Sequence, residues 1–287
     1  MSFINVVILA IVQGLAELLP VSSSAHVVVA EKLLGLDPSS PPMTLLLVML
    51  HTGTMFAVIV YFWRQWRGAY FQNSAAFKSI AGRIIVATLI TGIVGEILIK
   101  IIEKTLLADV PHSEIEDLFS HLEFIAPALA AAGILILAAG LRERGVRRAT
   151  TADGGELSVK HAGLIGMVQG LCLPFRGFSR SGATISTGML LGVPKPQAER
   201  FSFALAVVLT PPVVAREVMR LMRTPIAHDA LVSVALLSVL GAFLAFLAGL
   251  VALKWLSRWL ESGRWHLFGI YCLLAATAVF LLHRAGY

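Results

Sequence analysis

Phe178-Ser179-Arg180-Ser181-Gly182-Ala183-Thr184 sets an arginine between two hydroxyls inside a stretch otherwise suited to lipid. A charge at the middle of a membrane segment costs about 2.5–3.5 kcal/mol even on the lenient insertion scale, so such an arginine meets an anion or lines a wet cavity. Pro174, just upstream, breaks the helix that leads into the motif. The chain must therefore stop part-way through an apolar stretch and start a new helix at Ser179. The same event is written earlier, where Pro20 precedes Ser22-Ser23-Ser24-Ala25-His26 and Ser22 lies 157 positions before Ser179.

The resemblance between the two stretches extends outward. Val12-Gln13-Gly14-Leu15 recurs as Val168-Gln169-Gly170-Leu171, and Leu33-Leu34-Gly35 recurs as Leu190-Leu191-Gly192. The offset grows from 156 to 157 between these pairs, which puts one inserted residue near Pro174.

The rest of the chain is apolar enough for membrane. Of its 287 residues 57% are hydrophobic and 14% charged, where a soluble domain carries about 25% charged residues. The net charge of +6 does not indicate nucleic acid, because Lys and Arg fall in the loops between apolar runs, as orientation in a bilayer requires. No charge precedes Glu17, so the apolar start reads as mature structure rather than a cleaved leader. Cys172 and Cys272 read as small buried fillers.

The expected fold is an all-α polytopic membrane protein, a single domain with six transmembrane helices and two re-entrant helical hairpins. The hairpins cover residues 3–36 and 161–192, each too short on either side of its break for a full crossing. The spans are Met43 to Trp63, Ile84 to Ile102, Phe124 to Leu141, Phe201 to about Met219, Ala230 to Leu253 and Trp265 to Leu282. Pro38, Pro41 and Pro42 mark a loop, and Glu103 to Glu123 an acidic outer loop with Asp109, Glu114, Glu116 and Asp117. Residues 1–141 then form one repeat, 142–160 a basic linker, and 161–287 a second repeat. An odd number of crossings per repeat inverts the second copy relative to the first. Counting Lys and Arg gives 14 on one set of loops and 6 on the other, so the richer side, with the linker, is expected in the cytoplasm.

The start of a helix presents unpaired N–H groups and a positive dipole end, so two such starts at Ser22 and Ser179 make an anion site. Arg180, flanked by Ser179 and Ser181, adds a guanidinium and hydroxyl donors, and the favoured ligand is a phosphate on a lipid. Gln13 and Glu17 share a helix face ahead of the first break. Glu17 beside a phosphate site points to a bridging divalent ion, Mg²⁺ or Ca²⁺, or else to an ion pair with Arg180. His26 suits proton transfer near neutral pH or a structural hydrogen bond. Ser22, Ser23 and Ser24 suit helix caps, and one of them beside His26 suits a nucleophile. His51 faces either the cavity or a neighbouring helix, with the structural role preferred, Glu96 reads as paired with Lys100 four residues on, and Trp255, Trp259 and Trp265 as interface anchors.

The run Gln13 to His26, with Gly177 to Thr184, resembles the undecaprenyl pyrophosphate phosphatase family of the bacitracin-resistance type. That family carries (E/Q)xxxE, a following histidine and PGxSRSxxT. Leu50-His51-Thr52-Gly53-Thr54 and Phe201-Ser202-Phe203 also resemble family segments. The resemblance implies a bacterial inner-membrane phosphatase with its site open to the periplasm, acting on a polyprenyl pyrophosphate lipid and embedded among membrane lipids. A homodimer is one expectation for its assembly. It further implies that Glu17 binds metal or phosphate, His26 is the acid/base, Arg180 grips the pyrophosphate and Ser23 is the nucleophile, with attack by a water as the alternative. Ser179, Ser181 and Thr184 match the hydroxyl positions of the second motif.

Two departures from the family pattern stand out. Pro174-Phe175-Arg176-Gly177 replaces Pro-Gly, so Arg176 either adds a phosphate contact or snorkels to a wet edge. Gln13 fills the first position of (E/Q)xxxE and supplies no carboxylate. An alternative function is a polyprenyl-phosphate flippase or transporter without hydrolysis. A third is an ion-coupled carrier for a soluble anion.

Overall fold

The computed structural model describes residues 2–38, 40–106, 121–149, 156–222, 228–260 and 263–286. The acidic loop residues Asp109, Glu114, Glu116 and Asp117, and positions 150–155 of the linker, lie outside the described residues.

Ten helices make up the described structure: α1 (Phe3–Leu18), α2 (Ser23–Leu33), α3 (Pro41–Tyr70), α4 (Ser74–Leu106), α5 (Leu122–Ala149), α6 (Val159–Cys172), α7 (Arg180–Leu190), α8 (Lys195–Met222), α9 (His228–Leu260) and α10 (Trp265–Arg284). Six of them, α3, α4, α5, α8, α9 and α10, are long and apolar enough to cross a membrane. The chain is a multi-span membrane protein.

Each interrupted segment is a pair of helices with a polar turn between them. Leu19 is extended ahead of Pro20, as a residue before proline must be, and this ends α1. Ser22 then turns left-handed at φ 66° and caps α2, its Oγ accepting from Ala25 N–H at 3.4 Å. In the second segment Ser179 caps α7 in the same way, accepting from Gly182 N–H at 3.2 Å. Both pairs close on a Leu-Leu-Gly stop, with Gly35 and Gly192 at positive φ after the last turn.

Several helices outrun their apolar stretches. α3 starts at Pro41 and Pro42, because the first turn of a helix needs no N–H there. It continues to Tyr70, past the expected end, because Trp66 is buried and donates its Nε1–H to the Arg200 carbonyl at 3.2 Å. α4 starts at Ser74, ten residues before the expected Ile84, where Asn73 Oδ1 accepts from Ala76 N–H at 2.8 Å. α5 runs beyond Leu141 to Ala149, into the basic linker. Arg142 on that extension donates to the Leu190 carbonyl at 2.6 Å.

The main core joins Phe62 and Trp66 of α3, Ile125, Leu129 and Ile136 of α5, Ile185 of α7, Phe201 and Leu205 of α8, and Trp265 of α10. A smaller core joins Val6, Leu9 and Ala10 of α1 to Leu46 and Leu50 of α3 and Ala245 of α9. Of the short helices α7 is largely buried, whereas α1 keeps Ile4, Ile8, Ile11 and Leu15 on an exposed face, and α4 turns Ile85, Leu89, Ile93 and Ile97 outward at every fourth position, a lipid-facing stripe. Trp265 is not the interface anchor expected: it is buried and donates to Ser186 Oγ at 3.0 Å, tying α10 to α7. Cys172 and Cys272 are free and buried as expected. Lys100 and Glu96 pair at 3.3 Å on the exposed surface of α4.

Candidate active site

The two polar turns meet. Ser181 Oγ donates to the Leu19 carbonyl at 3.4 Å, and Gly177 N–H donates to Ser24 Oγ at 3.3 Å. Gly177 is at φ +103°, and a Cβ there would lie 2.6 Å from the Ile125 carbonyl oxygen, so the turn that carries Arg176 accepts only glycine at this point. This contact brings the first turns of α2 and α7, with their free N–H groups, to one place.

Glu17, the last residue but one of α1, is the hub. Its Oε1 accepts from Arg180 Nη2 at 2.7 Å. Its Oε2 accepts from Ser23 Oγ and from Gln13 Nε2, the latter at 3.0 Å. His51 of α3 brings Nε2 to 3.4 Å from the same oxygen, with Nδ1–H fixed on the Leu47 carbonyl at 2.8 Å. One carboxylate therefore collects a guanidinium, an amide, a hydroxyl and an imidazole. The Glu17 and Arg180 side chains are 12% and 26% exposed, so this pair sits in low dielectric, where charge-assisted hydrogen bonds are strong.

The hub opens on a cavity of about 370 Å³. Gln13, Glu17, His51, Ser22 to Ser24 and Ser179 to Ser181 form its polar end. Val27, Leu47, Val58, Phe203 and Val207 are among its apolar walls, and Arg176 also lines it. The arrangement is a cationic and hydroxylic floor beneath an apolar shaft, which fits a phosphate head on a hydrocarbon tail.

The candidate residues divide into two groups. Gln13, Glu17, Ser22, Ser23, Ser24, Arg176, Ser179, Arg180 and Ser181 all line the cavity. Thr184 and His26 do not. Thr184 is fully buried behind it, donating to the Arg180 carbonyl at 2.8 Å and touching Ser202 Oγ at 2.6 Å, so it braces the backbone of the arginine. His26 turns toward α10: Nδ1–H donates to the Ser22 carbonyl at 2.7 Å, and Nε2 accepts from Tyr271 O–H at 2.6 Å, with the two rings stacked. The histidine that reaches Glu17 is His51, which takes the cavity-facing of its two expected placements rather than the preferred structural one. Its only sequence signal was the Leu50 to Thr54 segment, which carries no register relative to α1.

The model of the bacitracin resistance protein BacA family matches residues 6–278. The chain belongs to this family. BacA relatives include a protein named undecaprenyl-diphosphatase 2 from Acinetobacter baylyi, 55% identical, with 98% of each chain covered. A second undecaprenyl-diphosphatase 2, from Burkholderia orbicola, is 33% identical over 99% of each chain. An undecaprenyl-diphosphatase from Rhodopirellula baltica is 32% identical over 98% of each chain. The BacA match covers both polar turns and all six long helices in whole or in part.

Proposed function

We infer that the chain is an undecaprenyl-diphosphatase, an enzyme that hydrolyses undecaprenyl pyrophosphate to undecaprenyl phosphate and inorganic phosphate and so returns the lipid carrier to cell-wall synthesis. The observation that carries this reading is the convergence of Glu17, Ser23 and Arg180 at the polar end of an apolar-walled cavity, in a chain whose relatives bear that name. The tail lies along the apolar walls and the pyrophosphate on the floor.

The chemistry follows from the hub. The incoming phosphate competes with Glu17 for Arg180, and the first-turn N–H groups of α2 and α7 hold its other oxygens as charge moves onto them. Glu17, relieved of the guanidinium, becomes the base for the Ser23 hydroxyl that already donates to it. Ser23 Oγ bonds to the terminal phosphorus as the bridging P–O bond breaks, undecaprenyl phosphate leaves, and the serine proton passes to Glu17. Water then cleaves the phosphoserine to give inorganic phosphate and free serine. The Ser23 to Glu17 bond supports the serine itself, rather than water, as the first nucleophile. His26 acts through the Ser22 carbonyl, which it ties down, and thereby keeps Ser23 in line.

The donor set fits a divalent cation only when substrate completes it. Among the described residues no group of three or more His, Cys, Asp or Glu side chains could hold a metal ion. Gln13 Oε1, however, is buried without a hydrogen-bond partner beside Glu17, and Mg²⁺ is commonly held by one or two carboxylates plus substrate phosphates. Glu17 and Gln13 would hold the ion against the pyrophosphate. Held there, such an ion would supply neutralisation of charge on the phosphate oxygens.

The reading extends to topology. α1 has 16 residues and is about 24 Å long, short of a bilayer core of about 30 Å, which supports α1 with α2, and α6 with α7, as re-entrant hairpins. The repeat supports an inverted pair of halves. Gly14 packs on α9, where a Cβ would meet Ala248 at 2.5 Å, and its counterpart Gly170 packs on α4, where a Cβ would meet Val94 at 2.8 Å. The distribution of 14 against 6 basic residues supports a cavity that opens to the periplasm.

The test is phosphate release from undecaprenyl pyrophosphate by purified protein in detergent with Mg²⁺ or Ca²⁺. Release that falls at least about 100-fold in Arg180→Ala supports the site. Movement of lipid phosphate across vesicles with no phosphate released would make the chain a flippase instead.

A further inference from the structure

The reaction above leaves one contact at the hub unused. His51 Nδ1 lies 2.8 Å from the Leu47 carbonyl, and a carbonyl only accepts, so Nδ1 carries the hydrogen and the neutral ring keeps its lone pair on Nε2. Nε2 stands 3.4 Å from Glu17 Oε2, which is an acceptor too. Two acceptors at that separation repel unless a positive charge stands between them, either a proton or a metal ion. A ring N–H held on a backbone carbonyl is also the usual way in which a metal-binding histidine is oriented.

Glu17 Oε2 is the common vertex of a donor set. Gln13 Nε2 is 3.0 Å from it, and the other end of that amide, Oε1, is without a hydrogen-bond partner on a side chain that is itself fully buried. A half-turn of the amide exchanges its two ends and brings the oxygen to the position that now faces Glu17. Two ligand atoms each about 2.1 Å from one ion lie about 3.0–3.4 Å apart in octahedral or tetrahedral geometry. The separations from Oε2 are 3.0 Å to the Gln13 amide and 3.4 Å to His51. A carboxylate offers about four lone-pair sites, so Ser23 keeps its bond to Oε2 while an ion takes the place of the amide donor. Glu17 and His51 alone fall short of a preformed metal group, and Gln13 Oε1 with substrate oxygens supplies the rest. Among the described residues His51 is the histidine that lines the cavity, and its side chain is 41% exposed, so the ring is open to an incoming ion.

We propose that His51 is a direct ligand of the divalent ion, beside Glu17 and Gln13, and that its imidazole makes the site prefer a first-row transition ion such as Mn²⁺ to Ca²⁺. Ca²⁺ takes oxygen ligands, whereas a neutral imidazole suits transition ions. The assignment rests on the lipid-pyrophosphate reading, because substrate oxygens complete the coordination.

The experiment reads the ion rather than turnover. Mn²⁺ is added to purified protein in detergent with farnesyl methylenediphosphonate, a diphosphate lipid whose P–C–P bridge resists hydrolysis, and electron spin-echo modulation reports the nuclei beside the ion. Wild type should show both phosphorus and nitrogen, and the nitrogen pattern should change when the histidines alone carry the heavy nitrogen isotope. His51→Gln should lose the nitrogen and weaken Mn²⁺ at least about tenfold. It should leave Ca²⁺ affinity within about threefold, since an amide oxygen serves that ion. Phosphorus without histidine nitrogen in wild type overturns the proposal and leaves a proton between the two side chains. A nitrogen signal that survives in His51→Gln, or no bound Mn²⁺ at all, overturns it as well. If His51→Gln does not fold, the isotope-labelled wild type decides alone, because His51 is the histidine at the cavity among the described residues. Phosphate release from undecaprenyl pyrophosphate, measured alongside, separates the two readings. Turnover without histidine on the ion sinks the ligand and keeps the reaction; histidine on the ion without turnover keeps the ligand and sinks the reaction.

Discussion

The two polar turns share a scaffold and differ in charge. Each is a helix carrying Val-Gln-Gly-Leu, a proline-broken stop, and a second helix capped by serine and closed by Leu-Leu-Gly. In the first, Gln13 is followed by Glu17 and the cap by Ser23. In the second, Gln169 is followed by Leu173, and the position matching Ser23 is Arg180. Gln13 Nε2 accordingly donates to a carboxylate at 3.0 Å, whereas Gln169 Nε2 donates to the Thr91 hydroxyl at 3.1 Å and stays structural. The two recurring stretches each start a helix that favours an anion; the first carries a carboxylate and a hydroxyl, Glu17 and Ser23, and the second a cation, Arg180. Neither turn is complete alone.

The comparison is sharpest at its charged positions. Ser23→Ala and Glu17→Ala should each lower kcat by about a thousandfold, within the range for a lost nucleophile or base, in a phosphate-release assay. A phosphoserine trapped at Ser23 in rapid quench would mark the nucleophilic role. Arg180→Ala should cost about 100- to 1000-fold. Arg180→Lys should recover only part of this, because a point charge lacks the planar fork of donors a guanidinium offers a phosphate.

A smaller effect belongs to the groups that hold the first turn in shape. His26→Ala should lower kcat by about 10- to 100-fold through misplacement of Ser23, and Tyr271→Phe by at most about tenfold, since it removes one outlying hydrogen bond. A Tyr271→Phe loss equal to that of His26→Ala would mean that the imidazole is oriented chiefly by the tyrosine. At the scaffold level, Gly14→Val and Gly170→Val should both lower thermal stability by about 1–3 kcal/mol, because a Cβ at either position meets the neighbouring helix. Destabilisation by only one of the two would break the symmetry argued for the pair.

Much of this was legible in the chain because its signals admit few readings. A proline followed by serines inside an apolar run, or an arginine between hydroxyls, has little use in lipid except at a broken helix, and both turns lie where Pro20 and Pro174 put them. Spans were legible in number and less so in extent. Hydropathy stops at the membrane surface, whereas the hydrogen bonding of α3, α4 and α5 continues beyond it on local caps and tertiary contacts such as Trp66 to Arg200.

Side-chain direction was the part that sequence could not carry. Whether His26 faces the cavity or Tyr271, whether His51 reaches Glu17, and whether Trp265 meets lipid or Ser186 all depend on the rotation of one helix against another. Glu31 escaped notice for the same reason. A carboxylate near the end of a short helix looks solvated in the sequence, and Glu31 of α2 is fully buried.

The central claim is that the acid of one turn and the cation of the other form one site. A double-mutant cycle on Glu17→Gln and Arg180→Gln, read as kcat/KM for phosphate release, tests it most directly. Shared duty predicts that the double variant loses little more than the worse single variant. Losses that multiply would assign the two residues to separate tasks and contradict the account.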